Sequence, residues 1–171
     1  VRDLKSLGAQ MLVNINASPF HINKSKERQD LLFKRCREGN FPIVYVNLIG
    51  GQDELVFDGG SMVVDAKGQK LFQAPSFTED LYPIELGITT EDNIELRSHL
   101  VAPNVCVEAS VYQSLVLGVK DYVRKNKFAG VVLGLSGGID SALTLAIAVD
   151  ALGAENVQAV MMPFEYTSKL S

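Results

Sequence analysis

The stretch GVVLGLSGGIDSALTLAI, residues 130–147, limits the possible fold of this chain more than any other segment. An apolar β-branched run is followed at once by a run rich in Ala and Leu, which predicts a strand, a tight loop and a helix. Glycine weakens strands and helices, yet four of the first nine residues are glycine. We therefore expect the junction to require bare backbone.

A second apolar run, VQAVMMP at 157–163, follows the predicted helix. Strand, helix and strand in this order predict a parallel β-α-β unit of the doubly wound kind. Ligands of such sheets bind beyond the carboxyl ends of the strands. The segment LSGGIDS lies at that position, so it is the candidate ligand site.

The residues of this loop suit an anion. Gly137 and Gly138 allow backbone N–H groups to approach a phosphate, the helix N-terminus adds positive potential, and Ser136 and Ser141 add hydroxyl donors. Neither G-x-x-x-x-G-K-[ST] nor G-x-G-x-x-G fits. Asp140 would repel phosphates unless a divalent cation lay between them, so we interpret it as a Mg²⁺ ligand. For S-G-G alone, a purely local capping role is the alternative.

The first half of the chain predicts a strand at 10–16, a helix at 24–38, a second strand at 41–49 and then paired strands around a turn at 65–68. A proline-interrupted stretch then resembles a linker that crosses a surface, and a long helical pattern follows it. We expect three parts: residues 1–74, a linker at 75–104, and residues 105–171. The chain starts without Met inside a predicted helix and stops soon after a strand, so we expect an internal part of a longer protein.

Composition excludes several classes of partner. The 171 residues are 47% hydrophobic with a net charge of −4, which fits a globular protein and gives no basic patch for nucleic acid or an anionic membrane. No apolar run is long enough to span a bilayer. Cys36 and Cys106 lack the spacing of a disulfide framework or a zinc site. We expect a reduced, cytoplasmic setting.

Three segments carry a resemblance to known families. GLSGGIDS resembles the S-G-G-x-D-S signature of the ATP-pyrophosphatase family. LVNINASPFHINKSKERQ and IVYVNLIGGQDELVFDGGSMVVDAKG are similar to the later part of the nitrilase-type amidase domain of glutamine-dependent NAD synthetases, and MMPFEYTS resembles their M-P-x-x-Y-T-S segment. The resemblance covers nearly the whole chain.

This resemblance implies an α/β fold: the C-terminal part of a nitrilase-like α-β-β-α sandwich, then the start of a doubly wound, parallel-sheet domain like the adenine-nucleotide α-hydrolases. It implies an enzyme, a ligase that amidates deamido-NAD to NAD with ATP and Mg²⁺, using ammonia from glutamine and releasing AMP and pyrophosphate. It also implies a homo-oligomer with an internal ammonia path.

The resemblance assigns site residues by motif. Ser18 and Lys24 match residues that hold glutamine, and Asp140 is the metal ligand. The amidase Glu, Lys and Cys are expected upstream of Val1, so no catalytic residue is assigned in this chain, and Cys36 and Cys106 are interpreted as packing residues. The ATP-binding residues are Gly134, Leu135, Ser136, Gly137, Gly138, Ile139, Asp140 and Ser141.

Two other functions stay open: another glutamine-dependent adenylating amidotransferase with the same loop, or a non-catalytic nitrilase-like scaffold. Some polar residues are weaker candidates. His21 is interpreted as polar surface, and Asp53 and Glu54 as solvated charges of a turn. The segment 166–168 is a further candidate for nucleotide contact.

Overall fold

The computed structural model describes residues 1–89, 94–97 and 100–162. It forms two compact units. Unit 1 comprises Val1–Ile49 and Phe57–Val107, and unit 2 comprises Gly50–Val56 and Glu108–Ser171.

The described residues form α-helices and short β-strands. The helices are α1 (Arg2–Ser6), α2 (Lys24–Gly39), α3 (Val107–Lys125) and α4 (Ile139–Leu152), with a 3₁₀ turn at Ala154–Asn156. The strands are β1 (Leu12–Asn16), β2 (Ile43–Asn47), β3 (Ile49–Gln52), β4 (Leu55–Asp58), β5 (Met62–Val64), β6 (Lys70–Gln73), β7 (Leu86–Ile88), β8 (Ile94–Leu96), β9 (Leu100–Val101), β10 (Val131–Gly134) and β11 (Val157–Val160). None of these helices combines the length and the apolar character needed to cross a membrane.

A five-stranded mixed sheet forms the centre of unit 1, in the order β1-β2-β5-β6-β9. The outer pairs β1–β2 and β6–β9 are parallel, whereas β2–β5 and β5–β6 are antiparallel. The predicted turn between β5 and β6 is confirmed: Asp65 Oδ1 accepts hydrogen bonds from the backbone N–H groups of Lys67 and Gln69, and Gly68 has a positive φ of 81°. The predicted strands and the helix of this part are confirmed, with ends shifted by one or two residues.

Helix α2 packs one face against the sheet. Its buried residues Arg28, Leu32, Cys36 and Gly39 recur every three or four positions, which places them on one side of the helix. Leu32 and Cys36 join a buried cluster with residues of β2 and β5. The exception on this otherwise apolar face is Arg28, which pairs with the buried Asp58.

The segment predicted as a linker carries regular structure. Strands β7 and β8 pair antiparallel, and β9 pairs with the edge of the main sheet through β6. These strands have only two or three residues each, too few for an alternating pattern to stand out among the prolines and acidic residues.

In unit 2, β10 and β11 are parallel neighbours connected through α4, as predicted for a β-α-β unit. A Cβ atom on Gly130 would overlap the backbone carbonyl of Asn156. Gly130 is therefore needed because two backbones approach closely. The need for glycine at position 130 therefore comes from packing, and not from the conformation of the glycine-rich loop at 134–141.

The tip of the β3–β4 hairpin, Gly50–Val56, belongs to unit 2, and the sequence did not predict this. The Gly51 N–H donates to Asp121 Oδ2 at 2.8 Å, and Lys125 pairs with the same carboxylate at 3.2 Å and donates to the Gly51 carbonyl. A Cβ on Gly51 would lie 3.3 Å from Cα of Gly118. A glycine in the middle of α3 thus allows the hairpin to lie directly on the helix.

Cys36 is a buried packing residue, as predicted. Its side chain is fully buried, and Sγ lies 3.8 Å from the carbonyl oxygen of Val64. Burial disfavours the thiolate and raises the pKa of this thiol from 9.0 to about 11. A thiol with so high a pKa is a poor nucleophile at neutral pH.

We expect Cys36 to make the stability of the protein pH-dependent at alkaline pH. Because its pKa is higher in the folded state, its contribution is complete below pH 9 and is lost as the pH rises from about 9 to about 11. Two pKa units correspond to about 3 kcal/mol. Urea unfolding at a series of pH values should give a steeper fall for the wild type than for Cys36→Ala, which has no titrating group. Equal slopes in the two proteins would contradict this account.

Candidate functional site

The glycine-rich loop lies where β10 ends and α4 begins. The N–H of Leu135 donates to the carbonyl of Val160 at 2.9 Å, so the loop departs from the carboxyl ends of two parallel strands. The predicted ATP-binding residues 134–141 are contiguous across this junction. The loop has the position that the β-α-β pattern predicted for a ligand site.

The two central glycines of the loop have different conformations. Gly137 has a φ of 77°, in the left-handed region that favours glycine. Gly138 caps α4 with a φ of −85° and a ψ of 158°, an extended conformation open to any residue. Both residues are exposed. The N–H groups of the first turn of α4 follow directly, and such groups have no partner within their own helix.

Two serine hydroxyls hold the loop in shape. Ser141 Oγ donates to the Gly138 carbonyl at 2.9 Å and accepts from the Ser136 N–H at 3.3 Å. The two hydroxyl oxygens lie 3.1 Å apart. The hydroxyl of Ser141 is thus engaged inside the loop, while Ser136 remains exposed. These hydrogen bonds fix the loop at the N-terminus of α4, where free backbone N–H groups suit an anion.

Asp140 lies in the first turn of α4 and is exposed. In the part of the chain that the structure describes, no group of three Asp, Glu, His or Cys side chains could hold a metal ion by itself. A single carboxylate is still what Mg²⁺ commonly takes from a protein when phosphate oxygens and water complete its coordination. The residue therefore fits a metal held jointly with a nucleotide.

A second polar site lies in unit 1, in the loop after β1. The Ser18 N–H donates to Asn47 Oδ1 at 2.8 Å, and Asn47 Nδ2 donates to the carbonyls of Ser18 and Gly59. Asn47 is buried at the end of β2. The conformation of the Ser18 loop is thus set by the neighbouring strand.

Arg28 holds the same loop from the helix side. Its Nε donates to Ser18 Oγ at 3.1 Å, and its Nη2 donates to the carbonyls of Ser18 and Pro19 at 2.9 and 3.1 Å. Nη2 also forms an ion pair with Asp58, because it lies 2.8 Å from Asp58 Oδ1. The two groups are not aligned for a hydrogen bond, and this carboxylate oxygen accepts none among the described residues. Both charged side chains are buried, at 7% and 5% exposure.

Ser18 and Lys24, the two predicted glutamine-binding residues, line one cavity of about 400 Å³. Lys24 Nζ lies 3.3 Å from Glu27 Oε2, and His21 Nε2 lies 3.6 Å from the same oxygen. The cavity is also lined by Arg28 and by Tyr45 of β2. Three cationic side chains, one carboxylate and two hydroxyl groups therefore line a common space.

Sequence reasoning missed Arg28, Asp58 and Tyr45. A signal for Arg28 was present: it stands four and eight residues before Leu32 and Cys36, so it occupies the apolar face of α2. A charged residue on a buried face needs a partner. Asp58, at the end of an apolar strand, provides that partner.

The other residues that the sequence singled out lie outside both sites or outside the described residues. Cys106 is exposed, and both thiols are free. Asp53 lies at the hairpin turn with a φ of 51°, as the interpretation of a turn predicted. Tyr166, Thr167 and Ser168 lie outside the described residues.

Comparison with known families agrees with this architecture. Residues 1–90 match the carbon-nitrogen hydrolase family, more than half of the chain, so the chain belongs to that family. Residues 111–171 match the NAD synthase family. The nitrilase-like and synthetase-like folds implied by the sequence are thereby confirmed.

The most specific similarity is to the glutamine-dependent NAD(+) synthetases, and it confirms the resemblance stated from the sequence. The chain is 47% identical over 171 residues to the enzyme of that name from Acinetobacter baylyi, and 39% identical to the one from Aquifex aeolicus. The first match covers 100% of this chain and 31% of the Acinetobacter baylyi enzyme. The second covers 96% of this chain and 34% of the Aquifex aeolicus enzyme.

A solved structure supports the fold. The chain superimposes on glutamine-dependent NAD+ synthetase from Acinetobacter baumannii, in complex with ADP, with a TM-score of 0.90 and 47% identity. The match covers 98% of this chain and 31% of that one. The chain thus spans about a third of the length of the proteins it resembles.

We expect Gly137 and Gly138 to respond differently to substitution by alanine. Gly137→Ala forces an L-residue into the left-handed region, at about 1–2 kcal/mol. Gly138→Ala keeps an allowed backbone, and its new Cβ would have its nearest neighbour, Ser136 Oγ, at 3.5 Å. Calorimetric titration with ADP should therefore show weaker binding for Gly137→Ala than for Gly138→Ala. Equal affinities would show that the positive φ is unimportant for the loop.

Proposed function

We propose that this chain is part of an enzyme that amidates deamido-NAD to NAD, with ATP as the activating substrate and glutamine as the source of ammonia. The similarity along the whole chain to glutamine-dependent NAD(+) synthetases, with one family match over residues 1–90 and another over residues 111–171, carries the proposal. The alternatives share only one of these two parts.

The reaction explains the glycine loop. A carboxylate is a poor electrophile, so the nicotinate carboxylate of deamido-NAD attacks the α-phosphorus of ATP and pyrophosphate leaves. Ammonia then displaces AMP from the acyl adenylate. Residues 134–141 would hold the phosphates through backbone N–H groups, which stabilise charge at fixed positions without reorganising. ADP in the related structure supports a nucleotide at this fold.

Asp140 would hold Mg²⁺ together with the phosphates of ATP. Its exposed carboxylate at the helix N-terminus suits this role. The metal would neutralise charge on the phosphates and on the leaving pyrophosphate. Without it, the carboxylate would weaken nucleotide binding through repulsion.

In unit 1, we propose that glutamine binds at the cavity lined by Ser18 and Lys24. A serine hydroxyl and an ammonium group suit the amino acid end of glutamine. The amidase Glu, Lys and Cys would come from sequence that precedes Val1 in the whole protein. The buried thiol of Cys36 supports placing the nucleophile elsewhere.

The remaining expectations are also proposals. We divide the chain into an amidase part at 1–74, a linker at 75–104 and a synthetase part at 105–171. We propose a homo-oligomer, and a cytoplasmic location in keeping with two free thiols.

AMP and NAD formation by the whole protein tests this function. With ATP, Mg²⁺ and glutamine, both products should form only when deamido-NAD is added. Asp140→Asn should reduce the rate about 100-fold or more, because it removes the metal ligand at constant size. Asp150→Asn is the matched control near the end of the same helix, where Asp150 accepts a hydrogen bond from Tyr112 at 2.6 Å, and its rate should be nearly that of the wild type.

Each other outcome identifies a different error. AMP formed with another carboxylate substrate, but not with deamido-NAD, would retain the loop and reject NAD synthesis. No AMP with any carboxylate would favour the non-catalytic scaffold. Equal effects of the two aspartate substitutions would reject Asp140 as the metal ligand.

A further inference from the structure

Phe77 has a backbone conformation that is unusual for a bulky residue. Its φ is 61°, in the left-handed region. For a large side chain this conformation is strained, and it persists only where the surrounding contacts enforce it. The other described non-glycine residues with a positive φ are Asn23, Asn40, Asp53 and Lys127. Asn and Asp tolerate this region, and Lys127 follows the C-terminus of α3, where it is common. Phe77 is therefore the residue whose strain needs a physical cause.

Backbone contacts hold Phe77 in place. Its N–H donates to the carbonyl of Asp58 at 3.0 Å, and the preceding Ser76 forms an antiparallel bridge with Gly59. The carboxylate of Asp58 is the partner of Arg28, which binds the loop after β1. The segment that carries Phe77 is thus paired with the same short stretch of chain that anchors this arginine.

The ring of Phe77 contacts the loop after β1. Its centroid lies 5.8 Å from that of Phe20, and the ring planes are at 64°, an edge-to-face arrangement. Such a pair adds attraction beyond the burial of its area. Phe20 follows Ser18 and Pro19 in the chain, and the proline ring fixes φ at its own position. The position of Phe20 therefore restricts the position of Ser18.

The other anchors of this loop bind its polar groups. Asn47 binds the N–H and the carbonyl of Ser18, and Arg28 binds the carbonyls of Ser18 and Pro19. Phe77 adds an apolar contact at the next residue of the loop. The loop is thus held from a third direction, by a residue from the segment after β6.

We infer that Phe77 is a positioning residue for the amidase site: its left-handed backbone turns its ring onto Phe20 and so fixes the loop that presents Ser18 to the cavity. Phe77 is not among the residues that line this cavity, so it acts through Phe20. The strain lowers stability, whereas the ring contact serves binding, and substitution can separate the two. This inference rests on the proposed function, because it takes glutamine as the ligand of the cavity.

Phe77→Ala and Phe77→Gly, made in the whole protein, separate these two effects. Both remove the ring, but only glycine adopts a φ of 61° without strain. Phe77→Gly should therefore unfold at a higher temperature than Phe77→Ala. Both variants should raise the KM for glutamine about tenfold, while NAD formation from ammonium keeps the wild-type kcat and KM. A role in folding alone predicts instead that the KM for glutamine follows the unfolding temperature.

A double-mutant cycle shows whether Phe77 acts through Phe20. Phe20→Ala should raise the KM for glutamine as much as Phe77→Gly does, and the two substitutions together should raise it no further. Phe128→Ala is the matched control, because it removes a phenylalanine from another aromatic pair, with Tyr122 in unit 2 at 6.2 Å between centroids. This control should leave the KM for glutamine at the wild-type value.

Three results would overturn the inference: a wild-type KM for glutamine in Phe77→Gly, an unfolding temperature of Phe77→Gly no higher than that of Phe77→Ala, or an equal rise in KM with and without the Phe20 ring. If Phe77→Ala does not fold, Phe77→Gly and the cycle with Phe20→Ala still decide the question. Failure of the proposed function looks different, because the wild type would then form no NAD even with ammonium.

Discussion

The buried ion pair between Arg28 and Asp58 is the interaction on which the architecture of unit 1 most depends. It connects helix α2 to the end of β4, and through the carbonyls of Ser18 and Pro19 it also fixes the loop after β1. Removing one member of such a pair leaves an uncompensated charge, which costs about 3–5 kcal/mol. Arg28 also lines the polar cavity, so the stability of unit 1 and the shape of this cavity depend on one set of contacts.

The two candidate sites are built on different physical principles. The loop of unit 2 is local: its glycines, its serine hydroxyls and the start of α4 lie within eight consecutive positions, 134–141. Its donors are mainly backbone N–H groups, which need only the correct backbone conformation. The cavity of unit 1 instead collects side chains from α2, β2 and the loop after β1. Of these, Arg28 is positioned by Asp58 and the Ser18 loop by Asn47, which are distant in sequence.

The boundary between compact units differs from the boundary between family matches. The carbon-nitrogen hydrolase match covers residues 1–90, but within that range Gly50–Val56 belongs to unit 2. Asp121, Lys125 and the small surface at Gly118 hold this hairpin tip. A segment that matches one family thus lies in the compact unit that carries the other match. We expect substitutions at Gly51 or Gly118 to act on the unit that contains the glycine-rich loop.

Local pattern alone determined most of the secondary structure, the β-α-β unit and the glycine loop, because hydrophobic period, turn residues and helix caps act over a few neighbouring positions. It also determined that Cys36 packs in the core, from its place on the apolar face of α2. The tertiary structure decided the roles of Arg28, Asp58 and Tyr45, the short strands between residues 75 and 104, and the position of the hairpin tip. These depend on contacts between residues ten to seventy positions apart, and no local periodicity specifies which distant partner a buried charge, a buried hydroxyl or a bare glycine will meet.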